Sequence, residues 1–248
     1  MEDDILNLDR PGGATLAYCY TPAKPGVQGT TLVFLPGYMS DMEGGKALAV
    51  DAWAKQQGRA MLRLDYSGCG ASGGDFEDQS LIDWRDDVLF LIDKVTSGSI
   101  TLIGSSMGGW LMLLVALSRP MRVKNLVGIA AAPDFTDWGF TQDQKMTILR
   151  EGKLEEESEY SEEPYVTTRT FWQSSDGARL LHKEIAFDGA VRLLHGQKDS
   201  DVPWAYSLEI AKKIRSDDVQ VHLVKDGDHR LSRDQDIGLL IDILSRLG

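Results

Sequence analysis

In the stretch ITLIGSSMGGWLMLL, Ile100 to Leu114, a β-branched apolar run stops at two hydroxyl residues framed by glycines, then resumes as a helix-like apolar run. Residues Gly104-Ser105-Ser106-Met107-Gly108 satisfy G-x-S-x-G with Ser106 at the centre. The physical content of that pattern is a sharp strand-to-helix turn that presents a serine hydroxyl at a sheet edge, over the N-terminus of the next helix. Glycines flank the serine because the backbone is strained there and neighbouring elements leave no space for Cβ atoms. Free amides and the positive end of the helix favour negative charge at that spot. Ser105 is the adjacent rival, but it sits in the wrong slot between the glycines. The bland alternative is a small-residue turn with no chemistry.

A serine hydroxyl needs a base to act as a nucleophile, and the base needs a group to orient it. The chain has 4 histidines. His195 lies at a strand end before Gly196, His222 sits within a strand pattern, and His182 belongs to a stretch without strand signals. His229, in KDGDHR, falls in the loop between the last strand and the last helix, from which a side chain reaches back over the sheet edge. It is the candidate general base. The acid is expected in LLHGQKDSDVPW, where Asp199 lies just beyond a strand. Asp201 is the first reserve, although its place near a helix start also suits the helix dipole. Asp134 is the second reserve.

An oxyanion formed at Ser106 needs amide donors. Met107 follows the serine directly, and LPGYMSDMEGGKA, after the strand Thr30–Leu35, offers the amide of Tyr38. Each such donor is typically worth about 3–4 kcal/mol in the transition state. The same glycine-rich loop fails as a phosphate cradle, because Lys46 is followed by Ala47 and the upstream glycine slot holds Ser40.

These residues require a scaffold that brings loop ends together. Short β-rich runs alternate with helix-period segments, the pattern of a mainly parallel sheet covered by helices. The strands read as Thr30–Leu35, Ala60–Asp65, Ser99–Ile103, Asn125–Ala131, Ala190–His195 and Val219–Val224, with Ala14–Thr21 as an antiparallel edge. The helices read as Gly45–Gln57, Leu81–Thr96, Met107–Ser118, Pro203–Ile214 and Arg233–Leu247. Pro203 suits a first helical position, and Ser232 with Gln235 makes a capping box for the last helix. From Asp134 to Asp188 no strand is expected, and the text is acidic and aromatic. That length inside a compact domain implies a purpose. It reads as a helical lid over residues 134–188, inserted into a core of residues 1–133 and 189–248. Trp138, Phe140, Phe171 and Trp172 are candidates for its underside or for its packing on the core, and Glu155–Glu157 with the nearby acids for a solvated face.

Bulk properties narrow the function classes. At 248 residues the chain can bury the core of one large domain. A net charge of -12 argues against a nucleic-acid partner, which needs a basic footprint. No apolar run approaches a membrane span. Cys19 and Cys69 show neither disulfide nor metal spacing. The acidic start MEDDILNLDR lacks the features of a secretory signal or transit peptide. A reducing, cytoplasmic setting is therefore expected.

Taken together the segments resemble the α/β-hydrolase superfamily over nearly the whole chain, with the order Ser106, Asp199, His229 matching its chain order. DYSGCGAS, Asp65 to Ser72, resembles that family's loop after a strand, a structural element with no expected chemistry. FLPGYMSDMEGGKALA, LRLDYSGCGASGG, GSSMGGWLML, RLLHGQKDSDVPW and DHR resemble the branch of mitochondrial palmitoyl-protein thioesterases that also cleave mycophenolic acid acyl-glucuronide. The resemblance implies the same nucleophile, acid and base, cleavage of acyl esters or thioesters, and no cofactor. Without an organelle-targeting leader, the chain reads as a bacterial relative. Two rival readings are a serine peptidase, which would want charged anchors for a peptide terminus, and a ligand-binding homologue without chemistry. An apolar tunnel beside Ser106 would point to long acyl chains, and a polar bowl with a basic wall to acyl-glucuronides.

Overall fold

The computed structural model describes residues 4–157 and 164–247. Its centre is an eight-stranded sheet in the order β1-β2-β4-β3-β5-β6-β9-β10. These are β1 (Leu6–Asp9), β2 (Thr15–Thr21), β3 (Thr31–Leu35), β4 (Met61–Leu64), β5 (Ile100–Ser105), β6 (Val123–Ile129), β9 (Ala190–Gly196) and β10 (Val219–Val224). β1 pairs antiparallel with β2, and β2 antiparallel with β4. All other neighbours are parallel. Ala14–Thr21 was expected to be an edge; β1 lies outside it instead, a four-residue strand too short to signal itself by alternation.

The central strands are apolar throughout because both sheet faces are covered. Every residue of β3 is buried, TLVFL. On one face, α1 (Gly45–Gln57) and α8 (Asp234–Ser245) bury Ala47, Val50 and Ala54 with Leu240, Ile243 and Leu244. On the other lie α2 (Leu81–Val95), α3 (Met107–Ser118) and α7 (Ala205–Lys213). Helix α3 is enclosed on all sides, from Met107 to Ala116. Helix α2 starts at a reciprocal Ser80–Asp83 capping box, which fixes where the chain turns down onto the sheet. Two expected starts are corrected. α8 starts from Arg233, whose backbone amide and guanidinium both donate to the Asp236 carboxylate, while the Ser232 hydroxyl donates to Arg230 O instead; α7 begins after Pro203 and Trp204.

Between β6 and β9 the chain forms α4 (Phe135–Trp138), α5 (Gln142–Glu151), a hairpin of β7 (Lys153–Glu156) with β8 (Tyr165–Thr168), and α6 (Arg169–Asp176). The hairpin stands where no strand was expected. YVTT is rich in β-formers, but four residues beside an acidic KLEE show no apolar alternation to read. Asp134 anchors this segment: its buried carboxylate accepts from the amides of Leu180 at 2.9 Å and Leu181 at 2.8 Å. Burial raises its pKa while those amides oppose the rise. The reserve acid therefore serves as a splint, held 46 residues away in sequence from Leu180.

Candidate active site

The carboxyl ends of β3, β5, β6, β9 and β10 lie along one sheet edge, and the loops leaving them carry Tyr38, Ser106, Asp134, Asp199 and His229 respectively. That edge of an open parallel sheet is where ligands bind. The backbone is strained along it. Among the described residues, the non-glycine positions with positive φ are Met39, Ser106, Ala130, Asp134 and Leu231, all in these loops. Strain persists only where surrounding structure imposes it.

Ser106 has φ 54° and ψ −119°. Its amide donates to Ile129 O at 2.9 Å, and its carbonyl accepts from Gly109 and Ala132. The glycines around it answer to close packing. A Cβ on Gly104 would lie 2.4 Å from Gly108 O, one on Gly108 2.2 Å from Leu35 O, and one on Gly109 2.4 Å from the Ala131 Cβ. The strand, the turn and the helix thus interlock with β3, leaving the serine side chain as the group that faces outward.

Three predicted side chains converge on one another. His229 Nε2 lies 3.2 Å from Ser106 Oγ, and His229 Nδ1 lies 2.8 Å from Asp199 Oδ2. A carboxylate only accepts, so Nδ1 carries the hydrogen and Nε2 is free to accept the serine proton. The Asp199 side chain is fully buried. Burial alone would raise its pKa, but hydrogen bonds from His195, His229 and the Val202 amide outweigh burial. Together they hold it well below the usual carboxylate range. Its other oxygen accepts from the amides of Asp201 at 2.9 Å and Val202 at 2.8 Å. Asp201, the reserve, is exposed and contacts Ser200.

A cavity of about 550 Å³ opens over Ser106 and His229, bounded also by Tyr38 and Met107. Among the described residues neither the Tyr38 nor the Met107 amide has an acceptor of its own. The lining combines aromatic Tyr38, Phe135, Trp138, Phe140 and Tyr165 with polar Ser40, Lys46, Arg230 and Ser232 and the acids Asp41, Glu156, Glu157 and Asp201. Neither a bare tunnel nor a wholly basic bowl describes it. Among the described residues no three His, Cys, Asp or Glu side chains gather as a metal-ligand set.

Residues 30–149 match the family of the alpha/beta hydrolase fold. The human protein named palmitoyl-protein thioesterase ABHD10, mitochondrial, is 41% identical over 249 residues, covering 97% of this chain and 80% of that protein. The chain belongs to the alpha/beta hydrolase family. The structure of alpha/beta hydrolase domain-containing protein 10 from mouse superposes on it with a TM-score of 0.90 at 39% identity, covering 99% of this chain and 100% of that one. A putative hydrolase from Agrobacterium vitis does so with a TM-score of 0.91 at 34% identity, covering 99% and 98%. The chain is accordingly an enzyme, a hydrolase. One expectation is corrected by these relatives: the curated ones are named mitochondrial, which overturns the cytoplasmic setting inferred from composition.

The remaining predicted residues of this hydrolase divide by packing. Trp138 and Phe140 line the cavity, whereas Phe171 is buried against Trp84 and Phe135, and Trp172 donates to Thr136 O at 3.0 Å. Glu155 and Glu157 are exposed, as a solvated face requires, although Glu157 also borders the cavity; Glu156 is half-buried at the cavity wall and accepts from Gln144. Glu155 pairs with Lys153, and Glu159, Glu162 and Glu163 lie outside the described residues. The DYSGCGAS loop is structural: Asp65 accepts from Met42 and Ala71 amides. Three roles went unread in the sequence. The Tyr38 hydroxyl donates to Val166 O at 2.5 Å, tying the β3 loop to the hairpin. Lys46 Nζ donates to Arg230 O and Ser232, bracing the His229 loop. His195 reaches Asp199, and its only signal was the four-residue spacing in HGQKD.

Proposed function

We propose that this hydrolase cleaves carboxylic esters or acyl thioesters through an acyl-enzyme on Ser106. The observation that carries the reading is the unbroken hydrogen-bonded line from Ser106 Oγ through His229 to Asp199. His229 takes the serine proton as Oγ attacks the acyl carbon, and Asp199 stabilises the imidazolium that results. The negative charge on the carbonyl oxygen falls between the amides of Met107 and Tyr38. Collapse of the tetrahedral intermediate expels the alcohol or thiol, which takes its proton from His229. Water then attacks the acyl group, His229 again accepts a proton, and the carboxylic acid leaves.

The thioester half of the proposal draws on the relatives, which are named palmitoyl-protein thioesterases. The cavity supports a division of substrate. Its aromatic lining suits an apolar acyl group, and its polar lining, Lys46 and Arg230 among it, suits a polar leaving group. Residues 134–188 serve as a lid on the core of residues 1–133 and 189–248, since Trp138, Phe140 and Tyr165 come from that segment. A net charge of -12 keeps nucleic acid out of the proposal.

The test is Ser106→Ala with a fluorophosphonate probe and a panel of esters, thioesters and aminoacyl amides. Loss of labelling and a fall in turnover of roughly 10⁶ are expected. Near-normal hydrolysis by the variant ends the Ser106 assignment, and preference for amides favours a peptidase instead.

A further inference from the structure

His195 is a titratable side chain that the proposed reaction leaves unused, and its surroundings are built around it. It sits in β9, fully buried, and does not line the cavity. Its Nε2 lies 2.9 Å from Val202 O and 3.0 Å from Asp199 Oδ2, and its Nδ1 lies 2.7 Å from Ser207 Oγ. A backbone carbonyl only accepts, so Nε2 carries a hydrogen. In the neutral ring Nδ1 is the acceptor and the buried Ser207 hydroxyl on α7 donates to it, while the single Nε2 hydrogen is shared between Val202 O and Asp199 Oδ2. The neutral imidazole satisfies every contact, and α7 and the loop after β9 hold the ring in one orientation.

We propose that His195 is a positioning residue that sets the strength of His229 as a base through their shared partner, Asp199 Oδ2. The inference rests on the reading of Ser106, His229 and Asp199 given above. Oδ2 divides its charge between two imidazole N–H groups, from His229 at 2.8 Å and His195 at 3.0 Å, while Oδ1 holds the amides of Asp201 and Val202. With the His195 donor removed, more of the carboxylate charge faces His229, which then keeps its proton to higher pH. The carboxylate also loses one of the contacts that fix its plane, so the line to Ser106 slackens. Both effects fall on the chemical step. The charged neighbours, Asp201 on the same loop, Asp228 and Arg230 beside His229 and Lys46 from α1, stay in place throughout.

The experiment compares wild type, His195→Gln, whose side-chain amide keeps an N–H near the Nε2 position, and His195→Met, which fills the space without a donor. The pH profile of kcat/KM is measured beside the pH dependence of fluorophosphonate labelling. For His195→Met the acid limb moves up by about 0.5–1 pH unit, and kcat falls about 10- to 100-fold with KM little changed. His195→Gln returns towards the wild-type limb. A folded His195→Met with the wild-type limb and kcat overturns the proposal, and so does a His195→Gln limb shifted as far as that of His195→Met. Where His195→Met does not fold, imidazole ¹⁵N spectra of the wild type decide. A neutral His195 protonated at Nε2 across the range in which His229 titrates supports the proposal. An Nδ1-protonated ring, or one that titrates alongside, overturns it. Labelling that persists in Ser106→Ala would sink the underlying reading separately, before any His195 variant is compared.

Discussion

Gly108→Ala tests the interlock that sets both proposed oxyanion donors. A Cβ at this position would meet Leu35 O at 2.2 Å and Pro36 O at 2.5 Å, whereas real Cβ atoms essentially never come within 3.0 Å of such neighbours. Both obstacles are backbone, so no side chain can swing aside. Either the N-terminus of α3 or the end of β3 must retreat by close to 1 Å, about the shortfall from that limit. Met107 begins α3, and Tyr38 follows β3 by three residues, so the movement separates the two amides from each other. A misplacement of about 1 Å at a reacting centre costs about 10²-fold in rate. Overpacking of this kind costs about 1–3 kcal/mol, or about 2–12 °C in Tm for a chain of this size. The assay is kcat/KM on a soluble ester together with thermal unfolding, both on purified protein. A Gly108→Ala enzyme with the wild-type rate and the wild-type Tm would refute the close approach of β3 and α3, and with it the geometric coupling of the donors.

Gly238→Ala supplies the opposite case: it lies within α8 with open space where a Cβ would point, so the variant gains about 0.5–1 kcal/mol in urea unfolding. Loss of stability there would mean that α8 is packed differently. Tyr38→Phe keeps the ring in its aromatic cluster but removes the donor to Val166 O, weakening hairpin seating by about 0.5–1.5 kcal/mol. Amide hydrogen exchange in β7 and β8 should accelerate about two- to tenfold, and unchanged protection would contradict the tie. Burial, then Arg230, pushes the Lys46 ammonium down to about 8 from 10.5. Between those values the unfolded chain binds more protons, so the stability of wild type relative to Lys46→Met rises with pH across that window, and the cost of burying the charge is fully present below it. Urea midpoints at pH 7 and pH 10 check this, and a difference that is flat or falls with pH is the refuting outcome.

Much of this hydrolase is written locally. An apolar run, two small residues among glycines and a second apolar run specify strand, turn and helix within a few residues of Ser106. Asp199 and His229 stand out in the sequence because each lies just past a strand, in a loop that alternation alone locates. The tertiary structure decided what depends on distant partners. Tyr38 meets Val166 across 128 residues, and Lys46 meets Ser232 across 186, separations that no sequence pattern encodes. The β7–β8 hairpin is held where the outer edge of β8, at Val166, docks on Tyr38 and Met39, since four residues of each strand would be marginal alone. Asp134 has the composition of a catalytic acid and became a splint because Leu180 and Leu181 turn their amides toward it. His195 looked like an ordinary strand-end histidine, and only the folding of α7 and the β9 loop around it brought its second nitrogen to Asp199. Chain-local preferences fix which elements form; the partner of a buried polar atom is fixed by whatever the fold sets opposite it, because such an atom must be satisfied by something.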